Sequence, residues 1–148
     1  MTSASLYDDK GWFKELQSKA NQPYPESLKA AIIAKNYPIL RRTISSYTHQ
    51  LQKAINRKDS VSIIHRTAAL LASYFDIVFA INSVPHPGEK RLLEMVKKLC
   101  SKIPDGLEGN IYGINNSLCL TSSNPKLNHV NTLLNELDKL LISEGWTP

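Results

Sequence analysis

Val61-Ser62-Ile63-Ile64-His65-Arg66-Thr67-Ala68-Ala69-Leu70-Leu71-Ala72-Ser73-Tyr74-Phe75-Asp76-Ile77-Val78-Phe79-Ala80-Ile81-Asn82-Ser83-Val84 runs without glycine or proline until it meets Pro85-His86-Pro87-Gly88. Ile64, Ala68, Leu71, Phe75, Val78 and Phe79 recur at three- and four-residue steps and share one helical face, which Ile63, Leu70, Ile77 and Ile81 widen. An apolar surface that broad belongs to a helix packed on several sides, the central member of a bundle. The Pro-x-Pro-Gly corner then ends it sharply, because proline supplies no N–H and fixes its own φ.

Outward from this helix the pattern stays helical. Upstream, Asp59 follows a tight polar connection and is placed to cap the central helix. Residues 26–57 are helix-patterned, but Pro38 interrupts them. The expectation is one helix ending near Lys35 and a second over residues 39–56, with Leu40, Ile44, Tyr47, Leu51 and Ile55 as its stripe. Residues 7–13 open a short helix with Asp8 or Asp9 as its cap, which runs to about Ala20, and the prolines at 23 and 25 separate it from the next. Downstream, residues 89–102 predict a helix with Leu92, Leu93, Val96 and Leu99 inward. Glycines and paired asparagines leave 107–120 ambiguous. Asn124 and Pro125 open a last helix whose core face is Val130, Leu133, Leu134, Leu137, Leu140 and Leu141, and Gly145 stops it. No alternating β-branched run occurs. The fold class is all-α: an up-and-down bundle of four or five main helices over residues 7–145, with residues 1–6 frayed.

Composition agrees with a single globular unit. The chain has 148 residues, 42% hydrophobic and 21% charged, ordinary proportions for a domain of this size. Its net charge of +5 suits an anionic partner: a nucleoside triphosphate, RNA or an acidic facing domain. No block of five basic residues marks a dedicated nucleic-acid-binding motif. Cys100 and Cys119 lack CxxC spacing and point to reduced thiols in a cytoplasmic protein. Asp8, Asp9 and Lys10 come too early for a signal peptide, and the strongly apolar run at 77–81 is too short to span a bilayer, so no membrane association is expected.

No complete catalytic site is visible. Nucleotidyl transfer needs carboxylates placed to hold two Mg²⁺ ions on a triphosphate. The one close acidic pair, Asp8-Asp9, is consecutive, so on a helix its members point about 100° apart. P-loop, HExxH and GxSxG elements are absent, and no metal site is expected. The chemistry concentrates instead at the corner. If a helix begins at Glu89, then Glu89, Lys90 and Arg91 occupy its first turn, where unpaired N–H groups favour an anion. His86, between two prolines, is suited to a hydrogen bond that fixes the loop, and Asn82 to capping the preceding helix. Asp76, on a mostly apolar helix, calls for a basic partner such as Arg66; His65 and Arg66 could pair with Asp59 or Asp76. Trp12 and Phe13 suit core or interface anchors, and Tyr24, Tyr37 and Tyr47 suit amphipathic packing.

The segment Tyr74-Phe75-Asp76-Ile77-Val78-Phe79-Ala80-Ile81-Asn82, followed by His86-Pro87-Gly88-Glu89-Lys90-Arg91-Leu92, resembles the helical C-terminal region of a bacterial nucleotidyltransferase family in the polymerase-β superfamily. The opening Leu6-Tyr7-Asp8-Asp9-Lys10-Gly11-Trp12-Phe13 is similar to the stretch that follows the catalytic domain in those proteins, and Lys35-Asn36-Tyr37-Pro38-Ile39-Leu40 adds to the likeness. It covers most of residues 6–103. The resemblance implies a bundle like the substrate-binding domain of the aminoglycoside (kanamycin-type) nucleotidyltransferases, which closes over the cleft. By that likeness Lys90 contacts the triphosphate, with Arg91 second. Glu89 faces the acceptor as a candidate general base, and His86 and Asn82 complete the binding set. It also implies Mg²⁺ and NTP held by a catalytic domain, in the same or another polypeptide, that this sequence lacks; alone the chain would transfer nothing.

Two other readings differ in class. Small helical HEPN-like RNases carry an Arg-x₄₋₆-His motif, and Arg42 and His49 have six residues between them. Arg42 would then stabilise phosphate charge and His49 act as acid or base. On one continuous helix the two would stand about 10 Å apart by rise, so joint contact requires a break between them or a second subunit. The third reading is an interaction module that forms a homodimer or binds a partner helix through an exposed apolar face.

Overall fold

The computed structural model describes residues 4–117 and 125–147. Over these the chain is an all-α bundle, 68% helical and without strands. The helices are α1 (Trp12–Ala20), α2 (Glu26–Arg41), α3 (Tyr47–Asn56), α4 (Ser60–Ile81), α5 (Leu92–Leu99), α6 (Leu107–Asn116) and α7 (Pro125–Ser143). Helix α4 is the hub, packed against α2 and α3 and touching α5, while α6 pairs with α7, which also meets α3. One hydrophobic cluster runs through α2, α3, α4, α5, α6 and α7; α1 contributes no buried residue to it.

Asp59 caps α4, accepting from Ser62 N–H at 3.0 Å and Ser62 O–H at 2.7 Å. The Ser62 hydroxyl, then its backbone N–H, hold the Asp59 carboxyl below the usual carboxylate range. Helix α4 buries Ile63, Thr67, Leu70, Tyr74, Ile77 and Ile81, whereas Ile64 and Ala68 are exposed and Leu71 half-buried. The core face of its first half is therefore turned about one position from the expected stripe. Both stripes run at helical spacing, and periodicity alone does not select between adjacent rows on so apolar a helix. The helix has the length and mean hydropathy (1.3) of a membrane span, but 56% of that window is buried inside the protein. Tyr74, edge-on to Phe75 at 5.7 Å, buries a hydroxyl with no hydrogen-bond partner among the described residues; burial, then the charge of Glu136, pushes that phenol far up.

Pro38 does not break α2, which runs through to Arg41. Proline removes only its own N–H, the one that would pair with the carbonyl of Ala34. Ala34 is exposed, so water can satisfy that carbonyl. Burial of Ile33, Tyr37 and Leu40 keeps the chain helical through the defect. The break falls instead at residues 42–46, and Ile44, expected in a core stripe, is 89% exposed there. His65 and Arg66 are exposed; Asp59 meets Arg57 at 3.7 Å and Asp76 meets His86 at 3.9 Å, not the predicted partners.

Helix α6 forms where propensity left the matter open, and Gly113 explains its composition. A Cβ there would stand 2.5 Å from Cδ2 and Cε1 of His129 on α7, so any side chain at 113 requires that imidazole to shift. Helix α7 starts at Pro125 as expected; the Asn124 cap and Cys119 lie outside the described residues. Val130, Leu133, Leu134, Leu137 and Leu141 are buried. Gly145 (φ +81°) ends α7, with Trp146 N–H donating to Leu141 O at 2.9 Å. Across the bundle Tyr37 O–H donates to Asp138 at 2.8 Å, and Arg41 pairs with Asp138 and donates to Asn135 at 2.6 Å.

Candidate functional site

Helix α4 ends on a reversal built by hydrogen bonds. Ser83 takes positive φ (54°), and Val84 N–H donates to Phe79 O at 3.0 Å. The Asn82 amide donates to Val78 O and Lys102 O and accepts from Lys102 N–H, each at 2.8 Å. Asn82 thus does cap its helix, and it also joins the two ends of the excursion that contains α5. Both of its donors are committed to backbone, which leaves them no role in contacting a ligand. His86 fixes the corner: its Nδ1 accepts from Gly88 N–H at 3.1 Å, and its ring meets Phe79 edge-on at 4.9 Å. With Nδ1 an acceptor, the neutral ring carries its proton on Nε2, the nitrogen 3.9 Å from Asp76. Asp76 is also close to Tyr24, whose phenol is raised by burial and then by that carboxylate.

Helix α5 begins at Leu92, three residues later than expected, and ends at Leu99. Glu89, Lys90 and Arg91 therefore precede its first turn. The cause is local: Arg91 is left-handed (φ 56°), and the first bond of the helix is Met95 N–H to Arg91 O at 2.9 Å. This backbone turn separates Lys90 from Arg91. Arg91 lines a groove of about 450 Å³ between α4, α5 and α6, whereas Lys90 and Glu89 are exposed on the bend and line none of the described hollows.

The groove has an apolar floor of Phe75, Leu92, Leu93 and Ile111, with Tyr112 on one wall. Two ion pairs form its rim, Arg91–Glu94 at 3.0 Å and Lys97–Glu108 at 2.5 Å. Beyond Lys97 and Glu108 a second hollow of about 350 Å³ continues to Pro104, Asp105 and Gly106. Both ion pairs are largely solvent-exposed, and such pairs are worth roughly 0–1 kcal/mol. Either cation can therefore exchange its carboxylate for an incoming anion at little cost.

Sequence reasoning reached Arg91 but assigned no role to Lys97, Glu108 or Tyr112. Their meeting depends on the turn at residues 104–106, which folds α6 back along α5; Pro104-Asp105-Gly106 was the visible signal. The RNase candidates flank the turn after α2. Arg42 lies over the Tyr37 ring at 5.3 Å and donates to its hydroxyl at 3.2 Å, while His49 Nδ1 pairs with Ile44 O. Among the described residues, no three His, Cys, Asp or Glu side chains come together as a metal site.

No curated protein and no solved structure matches the chain. Residues 1–92, from the N-terminus through α4 and the bend to the first residue of α5, match the family described as a domain of unknown function, DUF4037, and the chain belongs to that family.

Proposed function

We propose that this chain is the substrate- and nucleotide-binding helical part of a nucleotidyltransferase, working with a catalytic domain, in the same or another polypeptide, that holds Mg²⁺ and the NTP. The observation that carries the reading is Arg91, turned by its left-handed backbone onto the mouth of an apolar, aromatic-walled groove immediately after the bend that carries the family resemblance. The volume is within the range of small-molecule sites, and apolar walls with a few charged groups are their usual lining. Arg91 and Lys97 would take the phosphates while Tyr112 and Ile111 bear on the base or acceptor. Arg91 leads over Lys90 as the phosphate contact, since Arg91 lines the groove and Lys90 lines none of the described hollows. The described residues do not themselves fit Mg²⁺: Glu94 and Glu108 are each held by a cation, and no third ligand joins them.

Titrating the ¹⁵N-labelled chain with ATP tests this. Shifts should concentrate on Arg91, Lys97 and Tyr112, and Arg91→Ala should weaken binding at least about fivefold, as loss of one charge-assisted contact does, while Lys90→Ala changes it little. Incubation with Mg²⁺ and labelled ATP should give no nucleotidylated product. Groove resonances that do not respond to ATP, or transfer by the chain alone, would overturn the assignment.

A further inference from the structure

His86 holds, through a titratable atom, the backbone of the bend that carries Arg91. Pro85 and Pro87 have no N–H to give, and the N–H of Gly88 goes to His86 Nδ1 at 3.1 Å. A neutral ring that accepts at Nδ1 keeps its proton on Nε2, so a second proton has only Nδ1 to occupy. Once there, it sets an N–H against the Gly88 N–H, and the bond is lost. Gly88 has room to leave: its φ is 95°, and a Cβ built on it would meet nothing within 4 Å.

The surroundings of the ring decide where it goes. Asp76 on α4 stands 3.9 Å from Nε2, and an imidazolium gains an attraction to that carboxylate which the neutral ring lacks. Phe79 meets the ring edge-on at 4.9 Å and seats it against α4. Tyr24, ahead of α2, lies in the field of Asp76; its phenol is raised by burial and then by that charge, so it stays neutral where a histidine titrates. Across the neck Lys102 is paired with Glu144. On the bend Glu89 and Lys90 are exposed, and Arg91 is engaged by Glu94 at 3.0 Å. Asp76 is thus the charge set against the ring. We infer that residues 86–91 form a proton-operated latch. With His86 neutral, Nδ1 holds Gly88, and the bend sets Arg91 at the mouth of the groove. Protonated, His86 gives up Gly88 N–H to water, pairs with Asp76, and the bend loosens from Gly88 to Arg91. The latch rests on this geometry alone; its use as an acid-sensitive gate on nucleotide rests on the reading of the groove proposed above.

Imidazole and amide spectra of the ¹⁵N-labelled full chain between about pH 5 and 8 test the latch. At the alkaline end the His86 ring should be the Nε2–H tautomer. On acidification the Gly88 and Arg91 amides should shift with the midpoint of the His86 ring. His86→Asn places an amide oxygen near the position of Nδ1 but takes up no proton, so both amides should keep their alkaline positions throughout. Asp76→Asn should weaken proton uptake at His86 at least about threefold, the scale of one charge at about 4 Å in water. An Nδ1–H ring at high pH, amides that ignore the His86 midpoint, or amides that still respond in His86→Asn overturn the latch. For the gate, ATP binding should weaken more on acidification in wild type than in His86→Asn. Equal pH dependence in the two chains overturns the gate. ATP that binds neither chain removes the groove reading and the gate with it, while the amides still decide the latch.

Discussion

Gly113 has ordinary helical φ, so it is not present for conformational freedom. Its missing side chain makes room for the His129 ring, which also meets Asn110 Oδ1 at 3.2 Å through Nδ1. Alanine in a helix normally gains up to ~1 kcal/mol over glycine. Here the added methyl must displace an imidazole packed between two helices, and overpacking of that kind costs about 1–3 kcal/mol. Urea unfolding should therefore show Gly113→Ala less stable than wild type, with most of the loss recovered in Gly113→Ala/His129→Ala; an unchanged midpoint would mean that His129 swings aside freely. This residue also shows why 107–120 was opaque in the sequence. Its low helix propensity is real, and the packing that overrides it lies on another helix. Arg91 was legible as a cation at a corner. Its separation from Lys90 was not, because nothing in a non-glycine residue's type announces positive φ.

Among the elements, the capped ends matched expectation, as did the breaks at residues 21–25, 85–88 and 104–106, while Pro38 and the start of α5 did not. Asp59 and Gly145 mark the ends they were expected to mark, since each acts through hydrogen bonds with residues close by in the chain. Pro38 misled because its cost is local and small beside the burial of Ile33, Tyr37 and Leu40 around it. The start of α5 misled because Glu89 is a good first-turn residue that the preceding Gly88 (φ 95°) and Arg91 backbone exclude. The Asp59 cap makes a pH-dependent prediction. Its carboxyl is depressed in the folded chain, so its contribution to stability is present above the unfolded value near 3.8 and is lost as pH falls through the carboxylate range. Asp59→Ala should be less stable than wild type at neutral pH, and thermal melts of the two should converge on acidification below about pH 4. A gap that persists undiminished in acid would show that the carboxylate charge is not what caps α4.

At the scale of the molecule, the family match ends at residue 92 but the core does not. Helix α7 supplies six buried aliphatic side chains, each worth about 1.5–3 kcal/mol of burial, and Asp138 takes the Tyr37 hydroxyl and Arg41 guanidinium across the bundle. A chain cut after residue 92 should therefore lose its near-ultraviolet circular dichroism and dispersed amide spectrum, while the full chain unfolds in one transition. A well-dispersed spectrum from 1–92 would show that the matched segment stands by itself. The all-helical architecture was legible from periodicity, whereas the groove was not: it is made by α6 lying back along α5, a long-range meeting that no local pattern encodes. The Asn82 amide has a mechanical corollary. Two of its hydrogen bonds tie Asn82 to Lys102 across the neck of the excursion, so a load applied at Arg91 is shared between that tie and the contact of α5 with α4. Whatever grips the bend at Arg91 therefore pulls on the bundle at two points, the neck at residues 82 and 102 and the seat of α5 on α4.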